Sequence, residues 1–89
     1  EDKPWYMIDV PLVAETEWGG DDEFKYDFQK LLLARSKYKI MIFQCDDRII
    51  QWAKEQIRHF RGTQGDRYLF CSWEGKHRRT FRFELFVAP

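Results

Sequence analysis

The sequence predicts an α/β domain built on a mixed β-sheet, with the element order β(β)–α–β–α–β–β. Three observations carry this reading. Short apolar runs alternate with segments of helical periodicity through most of the chain. The run Lys39-Ile40-Met41-Ile42-Phe43-Gln44-Cys45 is nearly continuous in apolar residues, the pattern of a parallel-sheet strand covered on both faces. Two β-rich runs with a charged turn between them close the chain, which is the pattern of a hairpin.

The elements follow in order. Trp5-Tyr6-Met7-Ile8-Asp9 is apolar and reads as a strand over about residues 5 to 9. Pro11 cannot donate to a ladder and marks a strand start, an edge or a bulge. The next strand covers residues 11 to 18 and ends at Gly19-Gly20; it and the first can equally be one bent strand. Asp21 or Asp22 is expected to cap a helix from Glu23 to Ser36, whose first-turn acids suit the helix dipole. Phe24, Phe28, Leu31 and Leu32 set its apolar face, and Leu31-Leu32-Leu33-Ala34 widens it, so packing on two sides is expected. After the strand over 39–45, Asp46-Asp47 should cap a second helix, Asp47 to Phe60, with Ile49, Ile50, Ala53, Ile57 and Phe60 as its buried stripe. Arg58, His59 and Arg61 suit its C-terminal end, and Gly62 is placed to stop it. Arg67–Trp73 and Thr80–Val87 form the hairpin, with Phe81, Phe83, Leu85 and Val87 expected to face in and Arg82 and Glu84 out.

Eighty-nine residues make one domain, spanning 1–89. The opening Glu-Asp-Lys-Pro, without Met, reads as a processed product or a fragment of a longer chain. Four Trp, four Tyr and eight Phe are many for this length, so some should lie where a partner covers them. The net charge of zero is divided. Residues 1–44 carry −3 and residues 45–89 carry +3, which suits a metal site beside a phosphate-binding surface and equally suits solvated surface charge. Cys45 and Cys71 stand apart from any CxxC or Cys/His cluster, so they read as small buried thiols of a reduced, cytoplasmic protein rather than zinc ligands. No apolar run approaches the length of a membrane span.

The residues that carry chemistry lie on the strand over 11–18. Strand side chains alternate in direction, so Glu15 and Glu17 share one face and Leu12, Ala14, Thr16 and Trp18 the other. Two carboxylates side by side repel and resist burial. A divalent cation would relieve both penalties, and carboxylate oxygens are the ligands Mg²⁺ prefers. An edge strand with one solvated face would carry the same pair. Elsewhere Lys76, Arg78, Arg79 and Arg82 make a basic hairpin that can grip phosphates or simply be solvated. Asp27 and Lys30 can support the acidic strand from the helix or form a surface pair.

A strand ending in Glu15-Thr16-Glu17, then a helix, then a buried parallel strand, resembles the core of the PD-(D/E)XK phosphodiesterase superfamily, the restriction-endonuclease-like fold. The Glu-x-Glu-Trp-Gly segment followed by Tyr26-Asp27-Phe28-Gln29-Lys30-Leu31-Leu32 is similar to a small branch of that class. The resemblance covers roughly residues 9–60, with Glu17 where the triplet usually carries Lys. It implies a Mg²⁺- or Mn²⁺-dependent nuclease-like domain hydrolysing DNA, with Asp9, Glu15 and Glu17 as metal ligands and catalytic residues. The superfamily core also begins with a helix and a further strand that this chain lacks, so apolar surface near Trp5, Tyr6 and Trp18 is expected to be covered by a homodimer or a partner chain. The other reading is a catalytically degenerate relative, or an unrelated α/β module that binds nucleic acid or a protein.

Overall fold

The computed structural model describes residues 12–44, 47–75 and 78–89. The strand expected over 5–9, together with Asp9, Trp5 and Tyr6, lies outside the described residues, as do Cys45, Asp46, Lys76 and His77. Six elements run in the order β1 (Leu12–Glu17), α1 (Asp21–Leu33), β2 (Tyr38–Phe43), α2 (Asp47–His59), β3 (Arg67–Glu74) and β4 (Thr80–Val87). They form one four-stranded sheet in the order β1-β2-β3-β4. β1, β2 and β3 are mutually parallel, and β4 closes the hairpin antiparallel to β3. The two strands expected over 11–18 and 39–45 to be adjacent, parallel and joined by the first helix are so within β1 and β2.

Two successive crossovers step in the same direction across the sheet, and crossovers of one hand put both helices on one face. The core lies between that face and the helices. α1 contributes Phe24, Phe28, Leu31 and Leu32, and α2 contributes Ile49, Ile50, Ala53 and Ile57. They meet Met41 and Phe43 of β2 and Tyr68 and Phe70 of β3, all buried. Phe28 is the hub: its ring lies 5.9 Å from Phe24 and from Trp52, and 6.0 Å from Tyr68 and Phe70. Each such aromatic contact adds to the area term of burial.

Several expectations are corrected. β2 is covered on one face: Met41 and Phe43 are buried, while Ile40 and Ile42 are half-buried and Tyr38 is exposed. Both helices occupy the other side of the sheet, so the continuous apolar run has a second face without helices. In β4 the directions are reversed. The register sets Glu84 opposite Phe70 and Phe86 opposite Tyr68, so Arg82, Glu84 and Phe86 face the helices. Phe83 and Leu85 lie on the open face, 65 % and 60 % exposed. At this outer strand the polar pair reaches α2, Glu84 accepting from Lys54 and Arg82 pairing with Asp47. α1 begins at Asp21 behind Gly20, without a side-chain cap, and ends at Leu33, where the Ala34 N–H donates to the Leu31 carbonyl at 3.2 Å. It packs on the sheet and against α2, and of the widened apolar run Leu33 is left 72 % exposed.

Lys39 is a buried charge in the middle of the sheet. Its side chain is 0 % exposed. The ammonium lies 3.1 Å from the Asp66 carboxylate and donates to the Leu32 carbonyl at 3.3 Å and the Tyr68 hydroxyl at 3.4 Å. Gly65 (φ +86°) precedes Asp66, and the Asp66 N–H donates to the Thr63 carbonyl at 2.9 Å, so the loop fixes the carboxylate before β3 starts. Burial, joined by the Asp66 charge, pushes the Tyr68 phenol up to about 12.

Candidate functional site

Glu15 and Glu17 lie on the same face of β1, opposite Met41 and Phe43 in register. That is the helix-covered face. β1 is an edge strand, and Glu15 and Glu17 are half-buried on the side α1 covers, with the Glu17 Oε1 contact at the surface, while Leu12, Ala14 and Thr16 point to the more open side. A merely solvated acidic face would have the reverse arrangement. Glu17 stands at the carboxyl end of β1, the end where ligands gather in open parallel sheets. Its Oε1 accepts the Gly19 N–H at 2.7 Å. A Cβ on Gly19 would sit 3.0 Å from that oxygen, so a larger residue there would push the Glu17 carboxylate aside by a few tenths of an ångström.

α1 brings two further groups to the strand. On its helical projection Asp27 stands beside Leu31, at the flank of the buried stripe, with Lys30 one step farther out. Glu17, more than any other neighbour, holds the Asp27 carboxyl below the usual carboxylate range; Lys30 adds to the effect. The Lys30 ammonium lies 3.0 Å from Asp27 Oδ1 and sits over the Tyr26 ring at 4.7 Å. Asp27, and then the charge of Glu15, raise the Lys30 pKa. Four groups thus converge: Glu15 and Glu17 from the strand, Asp27 and Lys30 from the helix. Among the described residues, no three acidic, His or Cys side chains are arranged as a metal-ligand set. Glu15 and Glu17 offer carboxylate oxygens of the type Mg²⁺ takes, and one or two carboxylates with waters are a normal Mg²⁺ shell. The donor chemistry therefore fits, at the level of two ligands.

The basic hairpin is only partly available for a phosphate. Arg82 is engaged by Asp47, with Glu74 Oε1 at 3.6 Å from its Nε, and the Asp47 hydrogen bond raises its pKa. Arg78 and Arg79 are exposed at the turn, and their N–H groups donate to the Glu74 carbonyl at 3.2 and 2.9 Å. Trp18, 52 % exposed, bends over to Phe81 with ring centroids 6.4 Å apart. His59 serves its helix end, its Nδ1 lying 2.8 Å from the Glu55 carbonyl. No helix among the described residues is long and apolar enough to cross a membrane.

Comparison with known proteins finds no matching family model, no matching curated protein and no matching solved structure.

Proposed function

We propose that the chain is a metal-dependent phosphodiesterase of restriction-endonuclease-like type, acting on DNA, with its centre at Glu15, Glu17 and Lys30. The observation that carries this reading is the position of Lys30. The triplet of the resembled superfamily ends in Lys, and here Glu17 takes that place. Lys30, reaching from α1 within the field of Glu15 and the reach of Asp27, restores a cation beside the acidic pair. Glu15 and Glu17 would hold Mg²⁺ or Mn²⁺, which when bound supplies Lewis acidity toward a phosphate oxygen and lowers the pKa of a bound water.

The chain's own groups divide the remaining work. Lys30 holds positive charge where a phosphate gathers negative charge during hydrolysis. Asp27 fixes the Lys30 rotamer through the one-turn pair and keeps the ammonium protonated. Glu17 is the available proton acceptor for an attacking water. Asp9 remains the candidate third acid of the resemblance. Arg78 and Arg79, with Lys76 and Arg82 of the same hairpin, are the candidate phosphate contacts.

The test is hydrolysis of single- and double-stranded oligonucleotides in Mg²⁺ or Mn²⁺ by the wild type, Glu15→Gln and Lys30→Ala. Cleavage lost in both variants supports the reading. Cleavage that survives Glu15→Gln, or none in the wild type with either metal, overturns it. In the second case the binding-module reading takes its place.

A further inference from the structure

The face of the sheet opposite the helices is not built for water. Its positions alternate with those of the core, and Leu12, Tyr38, Phe83, Leu85 and Val87 on it are between 49 % and 65 % exposed. Half-buried Ile40, Ile42 and Leu69 fill the ground between them. Among the described strand residues on this face, Arg67 is the one charged side chain, and its guanidinium sits 6.0 Å over the Tyr38 ring. The face is therefore largely apolar and, apart from the buried Cys71, at least partly exposed.

We infer that this face is the interface of a symmetric homodimer, in which two copies pack sheet against sheet. Area favours a second copy. At ~200 Å² for a large, fully exposed side chain, the five exposed positions present about 550 Å², and the half-buried ones bring this to roughly 600–750 Å² per chain. That lies at or above the upper end of the ~300–600 Å² of the largest apolar patch on an ordinary monomer. It approaches the ~800 Å² each partner contributes to a standard interface. The near absence of charge argues against nucleic acid, which would need Lys and Arg toward its phosphates. It also fits a two-fold interface, in which the same patch is presented by both copies. Two such faces can pack aligned, about 10 Å apart, as a β-sandwich does. The surface is distinct from the Glu15–Lys30 site, which lies on the helix side, and the inference stands whether or not that site hydrolyses anything.

The experiment is sedimentation velocity on the full chain over a wide concentration range, with Leu85→Glu and Phe83→Lys as face variants and Leu33→Glu as the control. Leu33 is exposed on the helix layer, away from the sheet face. The expected result is a concentration-dependent dimer for the wild type and Leu33→Glu. Both face variants should show half that mass, with an unchanged far-ultraviolet circular dichroism spectrum. Either face variant suffices, so misfolding of one leaves the other as the test. A wild type that stays monomeric at every concentration overturns the inference and points to cover from within the chain or from a different protein. A dimer that survives both substitutions overturns it as well, by placing the interface elsewhere.

Discussion

Lys30 and Asp27 stand one helical turn apart with Nζ and Oδ1 separated by 3.0 Å, and Glu17 on the neighbouring strand, ahead of Lys30, lowers the Asp27 pKa. Asp27 thus links the only cation on this flank of α1 among the described residues to the acidic strand. Lys30→Ala should lower cleavage roughly 10²–10³-fold, the scale of removing one preorganised charge-stabilising donor. Lys30→Arg should retain more activity than Lys30→Ala. Asp27→Asn should act through Lys30, shifting the alkaline limb of the pH–rate profile downward, because the partner that raises the Lys30 pKa has gone. A uniform fall in rate with an unmoved profile would show Asp27 to be a structural residue.

Phe28 touches four other rings at the centre of the helix–sheet layer and is 0 % exposed. Phe28→Ala should destabilise the domain by about 3–5 kcal/mol, from lost burial and the cavity left behind. Urea unfolding followed by Trp fluorescence measures it.

The Lys39–Asp66 pair gives an asymmetric expectation. Asp66→Ala leaves a fully buried ammonium without its carboxylate and should cost about 3–5 kcal/mol. Replacing both partners together, as Lys39→Met with Asp66→Leu, should cost less than the single change, because no uncompensated charge remains. A double variant less stable than Asp66→Ala would show that the pair's hydrogen bonds to Leu32 and Tyr68 dominate.

Tyr68 sets a pH dependence. Its phenol titrates near 10 when exposed and is pushed up to about 12 in the fold by burial and the Asp66 charge. The folded-state value is the higher one. Its contribution to stability is therefore fully present below about pH 10 and is lost as the pH rises toward 12. Tyr68→Phe should flatten the fall in stability across that window, as measured by the urea midpoint at successive pH values.

The strand and helix order was legible in the sequence because the periodicities are strong. Ile49, Ile50, Ala53 and Ile57 at helical spacing defined α2, and the apolar run after Lys39 defined β2. Which face the helices would choose was not legible. The alternation in β4 offers Phe83 and Leu85 on one side and Arg82 and Glu84 on the other, and burial by composition favours the wrong one. Register with β3, together with the reach of Lys54 and Asp47 from α2, decided it. Lys39 heads the apolar run in the sequence, and the loop that brings Asp66 beside it is what makes its burial tolerable. At the candidate site, the pairing of Glu15 with Glu17 followed from strand alternation alone. Lys30 and Asp27 were visible as a helix pair, but their approach to Glu17 depends on how α1 lies across β1, which spacing does not encode.

On the proposed function, Glu15 and Glu17 hold a divalent cation beside the Lys30 ammonium. The most direct measurement is a Mn²⁺ titration followed by paramagnetic broadening of side-chain and backbone resonances, with and without an oligonucleotide. Binding should be weak without the oligonucleotide, since two carboxylates supply only part of an octahedral shell, and tighter with it. Broadening should appear first at Glu15 and Glu17, spread next to Asp27 and Lys30, and vanish in Glu15→Ala. If both glutamates stay sharp at every Mn²⁺ concentration with the oligonucleotide present, the pair is not a metal site and the phosphodiesterase reading fails.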